Sequence, residues 1–167
     1  DSASTSVISG FSMRWYRSLM QDAGTMKAFA NTLILAVSSS FVATVTGTAA
    51  AVGINNFKNK RIKQLTMGVT NIPMLNAEIV TGISLMLLFV SLGIRTGFLT
   101  VLLSHITFNI PYVILNVMPK LKQVNNTTFE AALDLGATPA YATWKITIPE
   151  IMPGVINGLL MAFTLSI

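Results

Sequence analysis

The stretch AFANTLILAVSSSFVATVTGTAAAVGINNF, residues 28–57, contains no charged side chain. A helix that spans a membrane needs about 20 consecutive, mostly apolar residues, so this stretch predicts a transmembrane helix over residues 29–54. It is also rich in Ala, Ser, Thr and Gly. Small residues allow helices to approach closely in lipid, so we expect this helix to contact protein as much as lipid.

The rest of the chain is also rich in apolar residues and poor in charged ones. Of its 167 residues, 52% are hydrophobic and 10% are charged, and the mean hydropathy is +0.65. Soluble domains carry about one quarter charged residues. Further apolar runs predict membrane spans at 64–94, 98–118 and 150–167. The predicted fold is therefore all-α, a polytopic transmembrane helical bundle. We expect the native protein to begin before Asp1 and to continue beyond Ile167, and to have further helices at its ends.

The span at residues 64–94 is predicted to be broken. As one helix it would be about 46 Å long, more than the hydrocarbon core requires. Pro73 removes a helical hydrogen bond and Asn76 can cap a new helix, so two pieces should meet near residues 73–77. Glu78 follows this break. It is either an anion that the dipole of the second helix favours, a carboxylate on the path of a cationic solute, or the partner of a cation in another subunit.

The distribution of basic residues predicts the orientation of the chain. Two short loops carry most of the positive charge, through Lys58, Lys60, Arg61 and Lys63 in the first and Lys120 and Lys122 in the second. Because cytoplasmic loops are enriched in Lys and Arg, both loops should be cytoplasmic. Residues 1–27 then lie outside, as an interfacial helix around FSMRWYRSLMQD or as an ordinary loop. Anionic lipid and topology explain the net charge of +5 better than nucleic acid does.

Several kinds of active site are excluded by composition. The chain has no cysteine and one histidine, so it cannot assemble a Cys or His metal cluster alone. It has no GxxxxGK[ST] sequence for binding ATP phosphates. Ser104 and His105 are adjacent on a predicted helix and point about 100° apart, so they cannot act as a nucleophile and base pair. We interpret His105 as a hydrogen-bond donor in helix packing rather than a substrate contact.

A polar segment at residues 120–149, on the predicted cytoplasmic side, carries its own helix signals. Thr127 and Glu130 have the spacing of a capping box, and Gly136 fits a left-handed helix end. Thr138 and Pro139 suit the start of a second helix. The segment therefore predicts a helix, a glycine bend and another helix.

Two prolines and three small residues follow. Pro149 and Pro153 are predicted to end the second loop helix and to begin the last span. Within that span, Gly154, Gly158 and Ala162 recur every four residues, which predicts a packing face unless these small residues are incidental.

The polar segment at residues 120–149 resembles the EAA loop of ABC importer permeases. The pattern is EAA, three residues, Gly, nine residues, Ile, one residue, Leu, Pro; the matching residues are Glu130, Ala131, Ala132, Gly136, Ile146 and Pro149. The departure is Ile148, where the family has Leu. WYRSLM, NTLILA, AEIVTGISLMLLF, LGIRTGF and LLSHITFNIPYVI extend the resemblance over almost the whole chain, toward the second permease of spermidine/putrescine importers.

The resemblance implies a type I ABC importer permease in a bacterial inner membrane. In that family the EAA loop forms a coupling helix that sits in a groove of a cytoplasmic ATPase. A dimer of that ATPase, a second homologous permease and an extracytoplasmic solute-binding protein are then expected partners, together with membrane lipid and without nucleic acid. This subunit would be non-catalytic and would hold no cofactor, since ATP is bound by the ATPase.

Two alternatives remain at this level. Permeases for other small solutes, such as thiamine or iron, share much of the same framework. An ion-coupled secondary carrier also uses broken helices near the membrane centre, but it needs ionisable relays within the membrane. Only Glu78 and His105 could supply them here, and a carrier leaves the EAA loop unexplained.

Overall fold

The computed structural model describes residues 14–57, 59–75, 78–124 and 126–167. Two compact units are present, one ending at Ile34 and one formed by Leu35–Ile167. In the first unit, α1 (Arg14–Gln21) is followed by the beginning of α2 (Ala23–Asn55). Asp22 caps α2: its carboxylate accepts hydrogen bonds from the backbone N–H groups of Gly24 at 3.4 Å and Thr25 at 3.1 Å, and from the Thr25 hydroxyl.

The second unit contains the rest of α2 and the other helices. These are α3 (Lys60–Leu75), α4 (Glu78–Ser91), α5 (Phe98–Gln123), α6 (Asn126–Asp134), α7 (Pro139–Ala142), a π-helix (Thr143–Thr147) and α8 (Ile148–Ser166). Every regular element among the described residues is a helix and none is a strand, so the predicted all-α fold is confirmed. Within the same residues, three continuous helical stretches are long and apolar enough to cross a membrane: Ala23–Asn55, Phe98–Gln123 and Pro139–Ser166.

Small residues bring α2, α5 and α8 into close contact. Ala43, Gly47 and Ala51 lie on the buried face of α2, as the prediction of protein contact for that helix requires. On α8, Gly154 and Gly158 are buried against α5. A Cβ atom built at Gly154 would lie 2.8 Å from the Lys120 Cγ and 3.0 Å from the Asn116 carbonyl oxygen. The predicted packing face of the last span is therefore confirmed.

The core of the bundle lies where these three helices meet. It includes the fully buried residues Val113 and Val117 of α5 and Ile151 of α8. The outward faces are also apolar: Phe41 of α2 is 65% exposed and Ile79 of α4 is 75% exposed. Exposed apolar faces of this kind match a hydrocarbon environment rather than water.

The described parts of the segment at residues 64–94 are helical, in α3 and α4. α3 ends at Leu75 and α4 begins at Glu78, and residues 76 and 77 between them lie outside the described residues, so the predicted break near residues 73–77 stays a prediction. Asn76, the predicted cap, lies outside the described residues. After α4, Gly93 adopts a φ of 69° in the turn that leads to α5. A positive φ of this size favours glycine, which has no Cβ to clash with the backbone.

The prediction that Pro149 and Pro153 separate the second loop helix from the last span is wrong. α7, the π-helix and α8 are continuous from Pro139 to Ser166. The Ile148 N–H donates to the Thr143 carbonyl, five residues earlier, and the next residue is Pro149. Proline has no N–H to donate, so it is tolerated at the point where the chain returns from π-helical to α-helical hydrogen bonding.

Candidate functional site

The EAA residues lie on α6, where the chain leaves the bundle. α6 begins at Asn126, so Thr127 lies within its first turn and not before it, which differs from the predicted capping position. Glu130 and Ala131 are exposed, and Ala132 is half-buried. The motif thus exposes the carboxylate of Glu130 and the methyl group of Ala131. The second alanine, Ala132, is partly covered by the protein.

The bend at Gly136 is a Schellman motif. Gly136 has a φ of 89°. Its N–H donates to the Leu133 carbonyl at 2.9 Å, and the Ala137 N–H donates to the Ala132 carbonyl at 3.0 Å. The predicted left-handed helix end is therefore confirmed. A Cβ built at Gly136 would meet no atom within 4 Å, so backbone conformation and not crowding requires glycine here.

The second loop helix starts as the sequence predicts. The Thr138 hydroxyl accepts a hydrogen bond from the Tyr141 N–H at 3.3 Å, and Pro139 occupies the first turn. Because the helix then continues into α8, Ile146 and Pro149 belong to the same rigid element as the last span. Ile146 is half-buried, and Pro149 is exposed.

Three large apolar side chains of the loop are exposed. Leu135 is 89%, Tyr141 59% and Trp144 69% accessible. They lie around the Gly136 bend and along the following helix, and we call them the loop apolar set. The EAA pattern does not contain them, so the sequence interpretation missed them. The sequence does contain a signal for Tyr141 and Trp144, because an aromatic residue in a predicted cytoplasmic loop needs a partner to cover it.

Phe129 connects the loop to the bundle. It is half-buried and borders a cleft of about 80 Å³ together with Thr143 and Thr147 of the π-helix and with Leu121 of α5. Val52 and Asn55 from the end of α2 complete this side of the cleft. α6 packs on α7 and on the π-helix, and Phe129 faces the cleft that separates it from the ends of α2 and α5.

Glu78 and His105 border the same cavity, farther along the bundle. The cavity has a volume of about 140 Å³ and lies between α4, α5 and α8. Its lining also includes Ser104, Phe108 and Leu165. A carboxylate, an imidazole and an aromatic ring together can attract and hold an organic cation.

The interpretation of His105 as a packing donor stays a prediction. Within the described part of the chain, no hydrogen bond of His105 is present, and its side chain lines the cavity instead. Ser104 donates its hydroxyl to the Thr100 carbonyl at 2.9 Å, within its own helix. Both neighbours nevertheless line the same cavity.

Helix packing next to the cavity uses other polar residues. Asn109 of α5 donates to the Ser166 hydroxyl of α8 at 2.7 Å, and Ser39 of α2 lies 3.0 Å from the same hydroxyl. Asn109 and Ser39 are fully buried, and Ser166 is 3% exposed. This cluster joins the three long helices, and the sequence interpretation did not identify it. Such interhelical bonds contribute about 0.6–2 kcal/mol in membrane proteins.

Comparison with known proteins gives one family and several relatives. Residues 43–167 match the family described as "Binding-protein-dependent transport system inner membrane component". The chain is 38% identical, over 167 residues, to the putrescine transport system permease protein PotI of Escherichia coli strain K12. It is 39% identical, over 157 residues, to the spermidine/putrescine transport system permease protein PotC of the same strain.

A third relative has a lower identity. The spermidine/putrescine transport system permease protein PotC of Haemophilus influenzae is 34% identical over 158 residues. The three alignments cover 96%, 94% and 95% of this chain, but 59%, 59% and 61% of the relatives. The chain thus spans about three fifths of the length of the curated relatives it matches.

Proposed function

The chain belongs to the family of binding-protein-dependent transport system inner membrane components, and we propose that it is a permease subunit of an ATP-driven importer for polyamines. The observation that carries the solute class is the identity of 38–39% to a putrescine permease and a spermidine/putrescine permease over almost the whole chain. The cavity at Glu78 supports the same class, because polyamines are cations and a carboxylate lowers the barrier to their entry.

The EAA loop is the proposed contact with the ATPase. Glu130, Ala131 and Ala132 lie on the first loop helix, Gly136 forms the bend, and Ile146 and Pro149 lie on the helix that continues into the membrane. We place the loop apolar set in the same interface, since aromatic side chains dominate the binding energy of many protein interfaces. The full importer then contains an ATPase dimer, a second permease and a solute-binding protein.

Continuity of one helix suggests how the ATPase acts on the solute path. Pro139–Ser166 is roughly 40 Å long and carries Ile146 near the loop and Leu165 at the cavity. Movement of the loop therefore moves a wall of the cavity directly. Close packing of Gly154 and Gly158 on α5 would carry the same movement to Ser104 and His105.

Co-purification tests this proposal. The full-length permease should retain its ATPase through solubilisation, and Trp144→Ala should release it, because an exposed indole that anchors an interface contributes 2 kcal/mol or more, by order of magnitude. Phe41→Ala is the matched control, since Phe41 is similarly exposed but lies on the predicted membrane span. A wild-type permease that never co-purifies with an ATPase, yet transports in response to an ion gradient, would support the carrier alternative.

A further inference from the structure

A groove of about 470 Å³ lies between α3 and α5, apart from the cavity and the EAA loop. One end is lined by Lys60, Lys63 and Lys122, and the wall includes Met67, Gly68 and Met118. Lys60 begins α3 and Lys122 lies in the last turn of α5, so the basic end faces the predicted cytoplasmic side. The groove thus combines a cationic end with a wall that is uncharged, because its other lining residues are Gln64 and Asn71.

The positive charge at this end is not neutralised within the groove. Lys63 donates to the Asn55 carbonyl at 3.0 Å and to the Asn55 side-chain oxygen at 2.8 Å, and so completes the end of α2. Lys60 and Lys122 are exposed, and no carboxylate is among the residues that line the groove. Two ammonium groups are therefore available to an anion.

The dimensions of the groove correspond to one leaflet of a membrane. From Lys60 to Asn71, which also lines it, α3 rises about 16 Å, roughly half of a hydrocarbon core of about 30 Å. Met118 is 2% exposed and Met67 is half-buried, so both form a packed apolar wall. A Cβ built at Gly68 would meet no atom within 4 Å, and the space beside this glycine is open.

We propose that this groove binds one anionic phospholipid of the cytoplasmic leaflet. Lys60 and Lys122 contact the phosphate, and an acyl chain lies against Met67 and Gly68, with the buried Met118 behind them. A free phosphate ion would use the lysines but leave the apolar wall uncovered. Basic sites between helices on the cytoplasmic side are suited to anionic headgroups.

Native mass spectrometry of the full-length permease in its importer tests the site. The probes are phosphatidylglycerol and phosphatidylcholine with identical acyl chains. The wild type should retain one phosphatidylglycerol in preference to phosphatidylcholine. Lys60→Gln and Lys122→Gln should each weaken phosphatidylglycerol binding about five-fold, the equivalent of about 1 kcal/mol, and leave phosphatidylcholine unchanged.

Two further variants separate the site from general surface charge. Arg61→Gln removes a cation beside Lys60 that does not line the groove, so it should leave the preference intact. Gly68→Leu fills the open space and should reduce the binding of both lipids. Equal loss from Arg61→Gln and Lys60→Gln, or displacement of the lipid by inorganic phosphate, would overturn the proposal. So would loss of the second permease from the complex in Gly68→Leu with no change in bound lipid, because a protein would then occupy the groove.

Discussion

Gly158 of α8 packs directly on Val113 of α5: a Cβ atom built at this glycine would lie 3.3 Å from the Val113 Cα. Gly47 of α2 approaches the same valine still more closely, and its added Cβ would lie 2.8 Å from the Val113 Cβ. One fully buried valine is therefore held by glycines from two other helices. In a membrane, where apolar side chains gain little by leaving lipid, such close approach is a main source of helix association.

The first prediction follows from this contact. Gly47→Ala should destabilise the bundle by about 1–3 kcal/mol, because the new methyl group overpacks a core that has no room for it. Gly53→Ala, on the same helix, is the control: a Cβ there meets no atom within 4 Å, so stability should stay equal or rise. Thermal unfolding of the full-length importer in detergent measures both. Equal melting temperatures for the two variants would contradict the packing of α2 on α5.

Gly136 provides a prediction about coupling. Gly136→Val should reduce stimulation of the ATPase by loaded binding protein, because valine at a φ of 89° is strained by about 1–3 kcal/mol. Gly136→Asn should retain most of the stimulation, since asparagine tolerates left-handed backbone. No neighbouring atom would crowd either side chain at its Cβ. If valine and asparagine behave alike at equal membrane abundance, the bend is not what couples the loop to the ATPase.

The conformation of the EAA loop could be predicted from the sequence only in part. Gly136 and Thr138 have their predicted conformations because both signals are local: one is a backbone preference, and the other is a hydroxyl that caps the next turn. The continuity through Pro149 was not predictable in the same way. It depends on a π-helical turn at Thr143–Thr147, and such a turn has no clear sequence signal.

Contacts between helices that are far apart in the sequence could not be predicted either. Spacing alone predicted a packing face on the last span, but it could not identify Val113 as the residue packed against Gly158. The Asn109–Ser166 hydrogen bond joins residues 57 positions apart, so no local sequence pattern predicts it. The position of His105 in one cavity with Glu78 was not predictable for the same reason, since only the fold brings the two residues together.

Glu78 tests the solute path. Glu78→Gln should lower polyamine uptake by roughly ten-fold or more per permease molecule, since opposite charges about 4 Å apart attract by about 4 kcal/mol at an effective dielectric constant of about 20. Glu78→Asp keeps the charge and should retain more uptake. Labelled putrescine uptake, normalised to the amount of permease, measures the effect.

The alternative role of Glu78 makes a different prediction. This residue begins α4, where the helix dipole favours an anion. If that is its main role, Glu78→Gln should lower the thermal stability or abundance of the permease while uptake per molecule stays at the wild-type value. That outcome would remove Glu78 from the solute path.

The Asp22 cap predicts a pH dependence at the start of α2. The hydrogen bond from the Thr25 hydroxyl, with those from the Thr25 and Gly24 N–H groups, holds the pKa of this carboxyl below its usual 3.8. A lowered folded-state pKa means that the cap stabilises the helix fully above pH 3.8 and loses this effect as the pH falls through the folded-state pKa. Amide hydrogen exchange in the first turn of α2, corrected for its intrinsic pH dependence, should therefore lose protection in acid.

Asp22→Asn is the control for this prediction. Asparagine retains an acceptor for the N–H groups of the first turn but does not titrate. The protection of the variant should not change over the same pH range. A loss of protection that is identical in the wild type and in Asp22→Asn would assign the effect to another group.

ATP-dependent uptake into vesicles tests the central claim most directly. The full-length permease, reconstituted with its second permease, ATPase and binding protein, should accumulate labelled putrescine or spermidine only when ATP is supplied on the ATPase side. Unlabelled polyamine should compete with this uptake, and thiamine should not. Uptake that needs no ATP, or that thiamine or iron inhibits while polyamines do not, would contradict the assignment of this chain to a polyamine importer.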